Sequence, residues 1–135
     1  MKIILSTYFA TLLTFCLLDV VYLGGFAKNF FDSQLGPGIL LAKPVISAGA
    51  AFYLIYTAGV VYLLALPAAG SRKYLQTAIR GAVFGFVAYC TYDLTNMATL
   101  TGWNWSIVCV DVTWGTIATA IGTTVGTYVA SATAR

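Results

Sequence analysis

The sequence predicts an all-α fold: an integral membrane four-helix bundle with both termini in the cytoplasm. Three observations predict it. Charged residues make up only 8% of the 135-residue chain while 60% is hydrophobic. A soluble domain carries about 25% charged residues, so this chain cannot cover a water-facing surface and a bilayer must serve as its solvent. The apolar residues fall into four runs, each near the length of about 20 residues that a membrane-crossing helix needs. The bases are unevenly placed, and cytoplasmic links carry the excess of Lys and Arg.

The first run covers residues 3–27, "IILSTYFATLLTFCLLDVVYLGGFA". Lys2 and the apolar stretch imitate a secretory signal. The stretch is too long, contains Asp19 and lacks an A-x-A site, so it is expected to stay as a helix. Gly36-Pro37-Gly38 then marks a turn. The second run covers 44–66, with Pro44 suited to its first turn and Pro67 and Gly70 to its end. The third covers 75–100 and the fourth 105–131, joined by "TGWN". Trp103, Trp105 and Tyr74 fit the boundary between water and lipid. Links this short make successive helices antiparallel neighbours, so residues 1–135 read as a single transmembrane domain. With the N-terminus inside, Lys2, Arg72, Lys73, Arg80 and Arg135 lie on the inner side, and Lys28 and Lys43 on the outer. That asymmetry puts both termini in the cytoplasm.

The chain has no Glu and no His; its acids are Asp19, Asp32, Asp93 and Asp111. Three of the four sit inside apolar runs. Asp19 lies roughly 12 Å from the outer end of the first helix, Asp93 roughly 10 Å from that of the third, and Asp111 roughly 9 Å from the start of the fourth. The three are therefore expected in one layer of the outer half of the bilayer. At 100° per residue, Gly85, Tyr89, Asp93 and Asn96 share a face of the third helix. Asp111 shares one with Gly115, Ala118, Gly122 and Gly126, a small-residue stripe that lets helices approach closely. Tyr8, Leu12, Phe15, Asp19 and Tyr22 align on the first helix. An ionisable group in hydrocarbon costs about 2.5–3.5 kcal/mol or more, so each Asp belongs on a packing face.

The plain reading of this layer is structural: Asp, Tyr, Asn and Thr making interhelical hydrogen bonds of about 0.6 kcal/mol each. The functional reading is a polar pocket open to the outer side. Its candidate ligand-binding residues are Asp19, Asp93, Asn96 and Asp111, with Tyr22, Tyr89, Tyr92 and Trp114 around them. Three close carboxylates cannot all remain ionised without a counter-charge. Lys43, at the outer start of the second helix, is the candidate to supply it; Lys28 is a second, with snorkelling to the headgroups as its plainer role.

No P-loop, GxSxG, HExxH or dinucleotide fingerprint occurs. The absence of His removes the usual metal and haem ligand and the usual general base. Oxygen ligands can hold a hard cation such as Na⁺ or Ca²⁺, but the spacing identifies no metal and no cofactor. The pairing of Asp93 with Asp111 allows an intramembrane aspartyl dyad by geometry, although the GxGD pattern of such proteases is missing. Cys16, Cys90 and Cys109 are odd in number, with no CxxC, and read as small buried packers. No basic run interleaved with aromatics points to nucleic acid.

"YCTYDLTNMATLTGW", "VCVDVTWGT" and "LLTFCLLDVVYLG" resemble the bacterial predicted-membrane-protein family called domain of unknown function 2177. The resemblance covers nearly the whole chain, and it implies that Asp19, Asp93, Asn96, Asp111, Trp114 and Gly115 sit in family motifs. It implies a small multi-helix protein of the bacterial inner membrane and no particular activity. The function expected from the residues is binding or translocation of a small cation, a proton-coupled solute or an amphipathic ligand. An accessory subunit of a larger membrane complex and a lipid-modifying enzyme are the alternatives, and no obvious nucleophile supports the enzyme. Membrane lipids are the expected partners; a homodimer or a larger complex is left open.

Overall fold

A computed structural model describes residues 1–134. It is all-helical, with four helices and no strand among the described residues. Helix α1 runs Lys2–Leu35, α2 Ile46–Ala65, α3 Tyr74–Thr99 and α4 Trp105–Thr133. Arg135, counted above among the inner bases, lies outside the described residues.

Helix α1 does not stop at residue 27. The Gly24-Gly25 pair relaxes Leu23–Ala27 into one wide π turn, and regular helix resumes over Lys28–Leu35. The true terminator is Gly36, whose φ of 79° no side-chain-bearing residue adopts readily. Helix α2 begins at Ile46, so Pro44 precedes it rather than filling its first turn, and it ends in a second π turn, Val61–Ala65. The Gly70 N–H then donates to Ser131 Oγ at 2.9 Å, tying the α2–α3 link to the end of α4. At the other end of the bundle, Asn104 caps α4: its side chain accepts from the N–H groups of Ser106 and Ile107 at 3.0 and 3.2 Å.

Helix α4 is the axle. It shares its most extensive interface with α3 and the next with α1, whereas α2 reaches α3 and α4 chiefly through its last turn, Val61–Ala65. The α3–α4 seam is built on glycine. A Cβ at Gly81 would stand 2.7 Å from Thr123 Oγ1, and one at Gly85 2.5 Å from the Gly115 carbonyl oxygen. Gly122 lies against the Phe15 ring and Gly126 against Thr11, which closes α1 onto the opposite side of α4. The small-residue stripe expected on α4 therefore serves two neighbours at once.

The bundle is inside out relative to a soluble protein. Thr7, Thr11, Thr57, Thr119, Thr123 and Thr127 are buried, while Phe9, Leu13, Leu17, Ile55, Val83 and Phe86 are exposed. Among lipids there is no hydrophobic force between helices, so close van der Waals contact and interhelical hydrogen bonds hold them, and small residues allow both. By length and composition α1, α2 and α4 can each cross a membrane. Helix α3 is long enough, but Gln76, Arg80, Asp93 and Asn96 make it too polar to meet the same measure. The four apolar runs of the sequence thus become three candidate spans and one more polar helix packed on α4.

Candidate functional site

The glycine seam sets the site. Because Gly85 rests on the backbone of α4 at Gly115, the next two turns of α3 present Tyr89 and Asp93 to α4 with no room for misalignment. The Tyr89 ring covers Gly115. Asp93 is fully buried, and its carboxyl lies within side-chain hydrogen-bonding range of Asp111. Asp93 Oδ1 accepts a hydrogen bond from Trp103 Nε1 at 3.2 Å. Its Oδ2 has no N–H or O–H donor from the described residues. Two carboxylates offer acceptors only, so this contact closes when a proton sits between them, one carboxyl donating and the other accepting.

Asp111 Oδ1 also accepts from Tyr22 Oη, at 3.5 Å the long end of hydrogen bonding. The Tyr22 ring stacks on Trp114, with centroids 4.3 Å apart and planes 5° from parallel. Trp114 Nε1 in turn donates to Asp19 Oδ1 at 2.9 Å, and Tyr53 Oη donates to Asp19 Oδ2 at 2.6 Å. The result is one aromatic and acidic cluster that draws on all four helices. Asp93 and Asp111 are its two carboxyls in direct contact. Asp19 stands apart from the pair, with a donor on each oxygen. With an indole and a phenol donor on its two oxygens, Asp19 is firmly held.

Helix α2 is anchored by its C-terminal turn, and its N-terminal half leaves a cavity of about 660 Å³ against α3. Ala48, Gly49, Phe52 and Tyr56 of α2 line one wall and Ala88, Tyr89 and Tyr92 the other, with Asp111 as the acidic residue. The volume lies within the range of about 300–1,000 Å³ typical of small-molecule sites. A second cavity of about 770 Å³ lies toward the 36–45 link, lined in part by Lys28, Asp32 and Pro44, and the two share Ala48.

Most residues singled out from the sequence meet here. Asp93, Asp111, Tyr22, Trp114 and Asp19 are joined by the contacts above, and Tyr89 and Tyr92 line the α3 wall of the cavity. Asn96 lies beside the Tyr92 side chain, on the edge of the cluster. Lys43 is exposed in the link before α2. The carboxyls are met by phenol and indole donors instead of a cation. Among the described residues no three His, Cys, Asp or Glu side chains converge as metal ligands. Sequence reasoning missed Phe52, Tyr53 and Tyr56. Their signal was a run of aromatics at one- and three-residue spacing in the most apolar part of α2, which reads equally as lipid-facing. Trp103 was assigned to the membrane boundary, whereas its indole N–H serves Asp93.

A family model described as "Predicted membrane protein (DUF2177)" matches residues 4–128. The chain belongs to this family and is a membrane protein. No curated protein and no solved structure matches it.

Proposed function

We propose that this membrane protein binds, and passes across or within the bilayer, an amphipathic ligand held between α2 and α3 with its polar end at the Asp93–Asp111 pair. The observation that carries the reading is the junction of the cavity with the pair: Asp111 lines a cavity otherwise formed by aromatic and small side chains. The same residues argue against a bare metal ion, which needs several converging oxygen ligands and gains nothing from aromatic walls. Native mass spectrometry from lipid nanodiscs tests it. A small amphipathic molecule should accompany the wild-type protein and be lost from Gly49→Leu, whose new side chain enters the cavity. Equal occupancy in both proteins, or none in either, would sink the reading.

We further place the chain in a bacterial inner membrane with the Asp cluster in the outer half of the bilayer and both termini cytoplasmic. Lys2, Arg72, Lys73 and Arg80 at one end against Lys28 and Lys43 at the other support this orientation. Helix α3 is taken to lie in the bilayer too, because Ile79, Val83, Phe86 and Val87 form an exposed apolar face along it. With the three native cysteines replaced by alanine, Leu41→Cys should label from the periplasmic side and Ser71→Cys should not. The reverse pattern would invert the assignment.

A further inference from the structure

We propose that the cavity between α2 and α3 takes a monovalent organic cation with an apolar body, and that one proton leaves the Asp93–Asp111 pair as the cation enters. This rests on the amphipathic-ligand reading and names the ligand's class.

Three observations point to a cation. Phe52, Tyr56, Tyr89 and Tyr92 make up half of the lining residues, and the faces of aromatic rings attract organic cations, the more so where water is excluded. Asp111 is the ionisable residue of the lining, and the charge it gains on losing a proton is negative, which suits a cation and not an anion. Finally, Asp93, which faces Asp111, is completely buried, and its Oδ2 has no N–H or O–H donor among the described residues. The titratable groups around the pair are Asp19 and Tyr22 from α1 and Tyr89 and Tyr92 from α3, and Tyr56 of α2 shares the cavity wall with Asp111. Trp103 adds a neutral donor, and no Lys or Arg of the described residues is in hydrogen-bond contact with either carboxyl.

Charge balance then fixes the exchange. Burying net charge in a low-dielectric site is expensive, so the empty and the loaded pair should both be neutral. Empty, the pair is neutral with two protons. Loaded, it is neutral with one proton shared between the carboxyls and one monovalent cation beside them. The O–H bond of one carboxyl breaks, its electron pair stays on the carboxylate oxygen, and the proton passes to water. A divalent ion would require both protons to leave, and among the described residues no third His, Cys, Asp or Glu joins the pair as a metal ligand.

The test uses the full chain in lipid nanodiscs. Tetraphenylphosphonium is titrated calorimetrically in two buffers of different ionisation enthalpy, which counts protons released per cation bound. Triphenylphosphine oxide, a neutral molecule of similar aromatic body, is titrated in parallel. The expected result is release of about one proton per tetraphenylphosphonium, with little binding of the neutral probe. Asp111→Asn should weaken cation binding by about tenfold or more and abolish the proton release. Gly49→Leu should weaken it without touching either acid, and it decides the matter if the Asn variant does not fold. Equal binding of both probes with no proton release would overturn the cation exchange and leave the amphipathic site standing. Binding of neither probe would overturn both. Tight cation binding unchanged in both variants would place the cation elsewhere and overturn the assignment.

Discussion

The two ends of this bundle are built from the same residue types and behave in opposite ways. Toward the termini, glycines are contact points: Gly81 meets Thr123, Gly122 meets Phe15 and Gly126 meets Thr11. Toward the 36–45 and 100–104 links, Gly24, Gly25 and Gly49 have no neighbour within 4 Å of where a Cβ would stand. In the first region the absent side chain lets two backbones touch. In the second, Tyr, Trp and Phe rings hold the helices apart, and their polar tips reach inward to three carboxyls. Helix α2 shows why. Neither of its glycines, Gly49 and Gly59, touches another helix. Its backbone nears α3 and α4 chiefly at its last turn; above that, long side chains hold it, Tyr53 to Asp19 and Tyr56 to Thr119, and the cavity is the space that this wider spacing leaves. Close packing and an open site belong to one design: α1, α3 and α4 meet through small residues, and α2 stands off them on its aromatic side chains.

The sharpest way to break that contrast is to put the same side chain on a glycine from each region. Leucine at Gly85 would drive into the Gly115 carbonyl oxygen, a backbone atom that cannot swing aside. Overpacking of this kind costs about 1–3 kcal/mol and more where the neighbour is rigid, so Gly85→Leu should lose about 3 kcal/mol or fail to fold. Leucine at Gly49 meets open space and should stay within about 0.5 kcal/mol of wild type. Unfolding in detergent titrated with SDS compares the two. Similar losses in both would mean that α2 is packed as tightly as α3.

Within the open end, the donors to the acids rank by burial. Trp103→Phe removes the indole donor of a fully buried carboxyl oxygen and should cost about 1–3 kcal/mol. Tyr53→Phe leaves half-buried Asp19 with its Trp114 bond and should cost about 0.5–1.5 kcal/mol. A Tyr53→Phe loss exceeding that of Trp103→Phe would reverse the ranking and make Asp19, not the pair, the centre of the cluster.

The division between these ends was only partly legible in the sequence. The all-α membrane class followed from composition, and the inward direction of Asp19, Asp93 and Asp111 from the cost of charge in lipid. The α4 stripe of Gly115, Ala118, Gly122 and Gly126 read correctly as a packing face, because a small residue on every turn has few other uses. What stayed hidden depends on relations between helices. No single-helix pattern says that Asp93 meets Asp111 while Asp19 takes two donors of its own. Tyr53 sits in an apolar run where a lipid-facing phenol and a carboxylate ligand look alike. The extension of α1 past Gly24-Gly25 turned on a π turn, where glycine widened the helix instead of ending it. The buried threonines went unread because Thr is permissible on either side of a membrane helix.

Those threonines supply the mildest test of the closed end. Thr123 is completely buried, and its Oγ1 has no hydrogen-bond partner among the described residues, although it stands 2.7 Å from where a Gly81 Cβ would be. Thr119, one turn earlier, differs: its hydroxyl bonds the Gly115 carbonyl at 2.6 Å and lies 2.8 Å from Tyr56 Oη. Valine matches threonine in shape and lacks the hydroxyl. Removing a partnered hydroxyl costs about 0.5–1.5 kcal/mol, whereas removing an unpartnered one can be neutral or favourable. Thr119→Val should therefore destabilise by about 1 kcal/mol. Thr123→Val should fall within about 0.5 kcal/mol of wild type, on either side. A loss at Thr123 equal to that at Thr119 would mean that its hydroxyl is satisfied, by water or by a shifted carbonyl, and that the α3–α4 seam is wetter than its glycines imply.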